Sequence, residues 1–314
     1  MILVGTAGWA DRDLIASGWY PASASSPAAR LAHYAERFPL VEVDSSYYAI
    51  PAERTVRGWA ENSSGLVLDV KAYSLFTGQR TRTNTLPAQL RDLARNQWLT
   101  AESAPPTLLD AAWQWFHNCF EPLRQTGRLG LVLLQFPPTY TFNARGRRLV
   151  AEALERCRPL RTAVEWRHPS WFEPVHRERS LQLLREHDAA LVCVDMPQSH
   201  RDSVPLLLAT TADTAVLRLH GRSTAWSNGG KEDRYRYEYT CAELAELAVK
   251  ADKLAGQAEN VHIVVNTCCA GAAQRAAATL LFALPDHGNP DGSAHVLRPR
   301  SPEQRIVESG GDAT

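Results

Sequence analysis

Two short stretches concentrate the groups that could do chemistry. Glu165 and Arg167 stand two apart in Thr162-Ala163-Val164-Glu165-Trp166-Arg167-His168, and Arg218, His220 and Arg222 alternate in Arg218-Leu219-His220-Gly221-Arg222. Residues two apart in an extended chain share a face, so each stretch presents its polar groups together. Glu165 suits a general acid or base, or a metal ligand, with Arg167 holding an anionic group. A structural ion pair filling a protein core is the competing reading. Two guanidiniums flanking an imidazole suit a phosphate or carboxylate, and His220 could carry a proton near neutral pH. Gly221 would let a ligand approach the backbone closely. Against this stands a histidine satisfied by its core neighbours.

Further candidates fall at the ends of other apolar runs. Glu42 and Asp44 form a second carboxylate pair. Paired with Glu165, Glu42 could serve a glycosidase, where a separation of about 5 Å gives retention and about 6.5–9.5 Å inversion. The carboxylates could equally ligate a divalent ion with Asp195 and His220. No H-E-x-x-H motif is present, so no metal ligand is assigned and the cofactor stays open. Lys71 is either a buried Schiff-base lysine or the ion-pair partner of Glu42. Gln135 and Asn266 are polar anchors for a ligand or a loop. Trp9, Tyr48, Trp171 and Trp226 could stack on a base or sugar ring, or simply pack under loops. His168, followed by Pro169, is expected to cap its strand.

The elements that must position these residues follow from the apolar runs. Ile2–Gly5, Leu40–Asp44, Leu66–Lys71, Leu129–Pro138, Thr162–Trp166, Ala189–Val194, Ala215–Leu219 and Val261–Val265 read as strands, usually followed by a helical pattern. That alternation predicts a single α/β domain over residues 1–284: a TIM-like (β/α) barrel of seven or eight parallel strands, with polar groups at the strand C-terminal ends. A doubly wound open sheet would usually show G-x-G-x-x-G after its first strand, and Gly5-Thr6-Ala7-Gly8-Trp9 is not that motif. Residues 74–128, after strand three, exceed what a βα unit needs and are expected to form a lid or wall over the active face. Residues 285–314 read as a disordered tail.

Composition narrows the function classes. The 314 residues carry 34 Lys+Arg and 34 Asp+Glu, a formal net charge of zero. That argues against coating of long nucleic acid but not against a local anion site. The six cysteines show no C-x-x-C spacing. Vicinal Cys268-Cys269 rarely forms a disulfide, and buried thiols in a reducing cytosol are expected. The absence of a signal peptide or an apolar run near the ~20 residues of a membrane span points to a cytoplasmic protein without membrane contact.

The motifs together are similar to those of the YecE-like family, also called domain of unknown function 72. The matching stretches are Gly5–Trp9, Val41-Glu42-Val43-Asp44-Ser45-Ser46-Tyr47-Tyr48-Ala49-Ile50-Pro51, Leu134-Gln135-Phe136-Pro137-Pro138, Val164–Trp171 and Arg218–Arg222. The resemblance implies a TIM-like barrel and no particular activity. Departures stand at Ala7, where Ser is common, Asp44 in place of Asn, Gln79 in place of His, and Thr267 in place of the second residue of an Asn-Asn pair. They would alter any activity that depended on those groups.

The functional expectation is an enzyme, a hydrolase, acting on a phosphate-bearing ligand such as a nucleotide or nucleic-acid end. Arg167, Arg218, Arg222 and Lys71 would neutralise the anion, and Glu165 or His220 would activate water near Glu42 and Asp195. A carbohydrate-active enzyme and a non-catalytic nucleic-acid or ligand-binding protein are the alternatives, and a fold shared by many chemistries cannot choose among them.

Overall fold

The computed structural model describes residues 1–200, 203–226 and 230–284. The tail expected at 285–314 lies outside them. Eight strands form a closed parallel barrel: β1 (Ile2–Ala7), β2 (Leu40–Val43), β3 (Val67–Lys71), β4 (Leu129–Phe136), β5 (Thr162–Trp166), β6 (Ala189–Asp195), β7 (Thr214–Leu219) and β8 (Asn260–Val265). They are arranged in chain order, and β8 pairs with β1 from Ile2↔Val261 to Thr6↔Val265, which removes any free edge. Strands buried on both faces read as continuous apolar runs. In β6, Ala-Ala-Leu-Val-Cys-Val-Asp, every residue is buried.

Nine helical segments are described: α1 (Arg12–Ala16), α2 (Pro27–Ala35), α3 (Glu53–Glu61), α4 (Pro106–Gln125), α5 (Ala144–Cys157), α6 (Arg177–Glu186), α7 (Lys231–Tyr235), α8 (Cys241–Ala255) and α9 (Ala272–Ala283). The starts of α2 and α8 follow capping chemistry. The Ser26 hydroxyl accepts from the Ala29 amide ahead of α2, whose first residue is Pro27. Thr240 and Glu243 form a reciprocal box at the start of α8.

The segment between β3 and β4 is built of 3-10 turns at Ser74–Thr77, Thr83–Thr85 and Ala88–Leu93, a two-residue antiparallel pairing of Thr81–Arg82 with Trp98–Leu99, and then α4. Pro105 stands at the N-cap and Pro106 begins a helix of 20 residues. Pro106 sits in the first turn, where a missing N–H costs nothing. The turns pack on α4, α5 and β4, with Phe76 stacked on Trp113 at 3.8 Å.

The barrel interior is polar as well as apolar. Towards its N-terminal end, Asp69 accepts from the Leu131 amide at 2.7 Å and faces His262 Nδ1 at 2.9 Å. Gly130 makes this possible, because a Cβ there would lie 2.2 Å from Asp69 Oδ1. Among the described residues no helix is long and apolar enough to cross a membrane.

Candidate functional site at the barrel mouth

The strand C-terminal ends bring Glu42 (β2), Glu165 (β5), Arg218 (β7) and His220 into one buried network. Arg218 donates through Nε and Nη2 to the two oxygens of Glu42 at 2.8 and 2.7 Å, and through Nη1 to Glu165 Oε2 at 3.0 Å. Arg167, just past β5, donates through Nη1 to Glu165 Oε1 at 2.7 Å. His220 Nε2 lies 3.2 Å from the same oxygen and within 3.1–3.2 Å of Nη1 of both arginines. Asn266, following β8, donates from Nδ2 to His220 Nδ1 at 2.9 Å, which leaves the ring proton on Nε2 facing Glu165. Glu42, Glu165, Arg218 and His220 are all at most 1% exposed.

The electrostatics follow from this crowding. Burial alone would raise the Glu165 pKa, but Arg218, His220 and Arg167 hold it well below the ordinary carboxylate value. Burial raises that of Glu42 against the pull of Arg218 and Lys71. Burial, opposed by Glu165 but joined by Arg218 and Arg167, pushes His220 down to about 3, so its imidazole is neutral at physiological pH. His220, expected as a proton carrier near neutral pH, is thus a fully enclosed ring beside two cations, and this burial works against its protonation. Arg218 likewise has its guanidinium taken up by two carboxylates and offers no clamp for a ligand. Glu42 and Glu165, the pair expected for a glycosidase, are bridged by Arg218 and buried.

Arg222 does not continue the alternation of Arg218 and His220. Gly221 adopts φ +81°, a left-handed conformation that turns the chain. Arg222 pairs instead with Asp195 at 2.8 Å and Glu243 at 3.3 Å, while the Tyr239 hydroxyl donates to Asp195 at 2.6 Å and accepts from the Gly221 amide. This second network holds the β7–α8 connection in place. It also draws Asp195 away from the metal-ligand set considered with Glu42, Asp44 and His220. Among the described residues no three His, Cys, Asp or Glu side chains are grouped to hold a metal ion.

Above the buried network the mouth is lined by groups with remaining capacity. Lys71 Nζ donates to Asp44 Oδ1 at 2.8 Å and lies 4.6 Å from the Tyr47 ring centroid. Its partner is Asp44, not the expected Glu42, because β2 ends at Val43 and a 3-10 turn swings Asp44 outward to 33% side-chain exposure. Gln135 is in register with Glu165 on the neighbouring strand and therefore points the same way. Its amide has no protein partner among the described residues. Arg167 uses only Nη1 on protein acceptors there, leaving Nε and Nη2, and its guanidinium lies 5.4 Å from the Trp226 centroid. Trp226 and Tyr235 cover His220 at 6.0 and 5.7 Å.

Of the aromatic candidates, only Tyr48 is exposed, at 47%. Trp9 is buried edge-on against Trp59, and Trp171 stacks on Trp166 at 4.4 Å while its Nε1 donates to the Tyr140 carbonyl. Both are packing groups under loops rather than ligand platforms. His168 caps the turn Pro169–Trp171, its Nδ1 accepting from the Ser170 amide.

Residues 3–300 match the family described as "Protein of unknown function DUF72". The chain belongs to this family. The UPF0759 protein YunF of Bacillus subtilis (strain 168) is 29% identical over 279 residues, 86% of this chain and 90% of its own. A DUF72 family protein of Thermotoga maritima MSB8 has a structure with TM-score 0.72 and 27% identity, covering 90% of this chain and 98% of its own. One from Enterococcus faecalis V583 has TM-score 0.71 and 25% identity, covering 91% and 98%.

In this DUF72 barrel the mouth also contains residues that sequence reasoning did not single out. Tyr235, Tyr237, Tyr239 and Glu243 lie in or after the β7–α8 connection, outside any strand end, where no spacing rule marks them. Tyr47 carried a weak signal, three residues beyond the predicted end of strand two. Three cysteines, Cys119, Cys157 and Cys193, are buried as expected. Cys241 is exposed and Cys268 and Cys269 are half-buried, so the expectation of six buried thiols is corrected. These three sit at a helix start and in a loop, where no core surrounds them.

Proposed function

We propose that this barrel is an enzyme of hydrolytic type whose mouth takes a small phosphate-bearing ligand. The observation that carries the reading is a set of donors on three consecutive strands with capacity left among the described residues: Lys71 after one acceptor, the Gln135 amide, and Nε and Nη2 of Arg167. The buried network beneath acts as their floor. Glu165 fixes the Arg167 guanidinium from below, and Trp226 lies against it, so the open edge is preorganised for a planar or tetrahedral anion. Of the four carboxylates considered, Asp44 is the partly exposed one. In this reading it takes the proton from water, while Arg167 and Lys71 stabilise the charge that develops.

Thermal unfolding with inorganic phosphate, a nucleoside monophosphate, a sugar phosphate and the matching neutral sugar tests the reading. Phosphate-bearing ligands should stabilise the protein, by about 2.7 kcal/mol at a hundredfold excess over Kd. Arg167→Gln should abolish that shift. An equal shift with the neutral sugar, or a shift unchanged in Arg167→Gln, would overturn the anion site. Release of phosphate that Asp44→Asn abolishes without loss of binding would support the hydrolytic role. Binding with no product would leave the non-catalytic reading.

A further inference from the structure

We infer that Cys268 and Cys269 form a redox-modifiable vicinal dithiol at the rim of the barrel mouth. Adjacent residues in an extended chain project to opposite sides. Here the two Sγ atoms lie 2.9 Å apart. The backbone that brings them together is unusual: Cys269 has φ +86° and Ala270 φ +47°, both left-handed conformations rare for non-glycine residues, and Gly271 follows at φ +76°. Strain of this kind needs support from its surroundings. The support is visible, since the Cys268 amide donates to the Tyr235 carbonyl at 2.7 Å and Cys268 forms an isolated bridge with Arg236. Both thiols are half-buried and so remain within reach of a small oxidant.

The co-reactant is a peroxide. The thiolate of one cysteine attacks the peroxide oxygen, the O–O bond breaks, and an alcohol or water leaves, giving a sulfenic acid. The second thiolate then displaces hydroxide from that sulfur, closing the S–S bond and releasing water after proton transfer. Two thiols are oxidised by two electrons and one peroxide is reduced. Adjacent Cα atoms are about 3.8 Å apart, short of the roughly 4.4–6.8 Å usual for disulfides. The closed ring is therefore strained and easily reopened by a dithiol reductant. The location links the modification to the site: Asn266, two residues earlier, holds His220, and the stapled Tyr235 covers it.

The test does not depend on any ligand. The full-length protein is treated with stoichiometric hydrogen peroxide, alkylated and cleaved with trypsin, which isolates both cysteines in the peptide Leu254–Arg275. That peptide should be two hydrogens lighter and carry no alkyl group, and dithiothreitol before alkylation should restore both labelling sites. Cys241→Ser, at an exposed position, should leave the result unchanged. Two alkyl groups on Leu254–Arg275 after peroxide, over-oxidation to sulfinic acid, or a crosslink to Cys241 would each overturn the inference. Because the readout is a peptide mass, its failure is distinct from failure of the phosphate site.

Discussion

Arg218 is the side chain on which the site turns, since one guanidinium bridges Glu42 and Glu165 inside the barrel. Removing one partner of a buried ion pair leaves the others uncompensated, which typically costs about 3–5 kcal/mol. Arg218→Ala should lose stability on that scale, read from urea unfolding. His220 makes a pH-dependent contribution of definite sign. Its folded pKa is about 3 against an ordinary value of 6.5. Between those values the unfolded chain binds more protons, so the contribution is fully present above pH 6.5 and is lost as pH falls. The slope approaches about 1.4 kcal/mol per pH unit. Glu165, depressed from 4.5, loses its own contribution in the same direction at lower pH. The interval from pH 6.5 to 4.5 therefore separates the two. Over it, the stability difference between the natural protein and His220→Asn should shrink as pH is lowered. A constant difference in urea midpoints would show that the ring is protonated inside the fold.

At the scale of elements, the turn after β7 decides which polar groups meet. Gly221 divides the run into Arg218 and His220, which face the barrel axis, and Arg222, which turns to Asp195. A Cβ at Gly221 would come within 2.5 Å of the Tyr237 Cβ and 3.1 Å of Thr267 Cγ2, in a left-handed backbone. Gly221→Ala should cost about 1–3 kcal/mol. Its melting temperature should fall, and Arg222→Gln should cost less in that background than in the natural one, because the turn that delivers Arg222 to Asp195 is already displaced. Equal losses in both backgrounds would argue against that coupling. A comparable element effect governs β2. Alternation predicted Glu42 and Asp44 on one face, yet the strand stops one residue early and only Glu42 enters the barrel. Strand ends are set by neighbouring pairs as much as by the run itself, which is why Lys71 meets Asp44 and not Glu42.

For the whole molecule, acid and base balance to zero net charge with a pI of about 7.1. Self-repulsion between molecules vanishes there. Solubility against polyethylene glycol should pass through a minimum near pH 7 and rise on either side; a monotonic curve would contradict this. The barrel was legible in the sequence because its buried strands read as short, mostly apolar runs, and because a parallel pair needs a helical crossover between its strands. The candidate residues at strand ends were legible for the same reason: a charge or amide closing a buried run has few places to go but the barrel mouth. Pairing was not legible. Whether Glu42 met Lys71 or Arg218, whether His220 titrated near neutrality, and whether Trp171 faced a ligand or Trp166 depend on distances across the barrel and on burial. Those quantities arise only when β1 closes on β8 and brings residues as far apart as 42 and 218 into contact. The sequence by itself determined the elements and the face where polar groups gather. Tertiary structure alone decided which charges pair with each other and which donors, at Lys71, Gln135 and Arg167, keep capacity among the described residues.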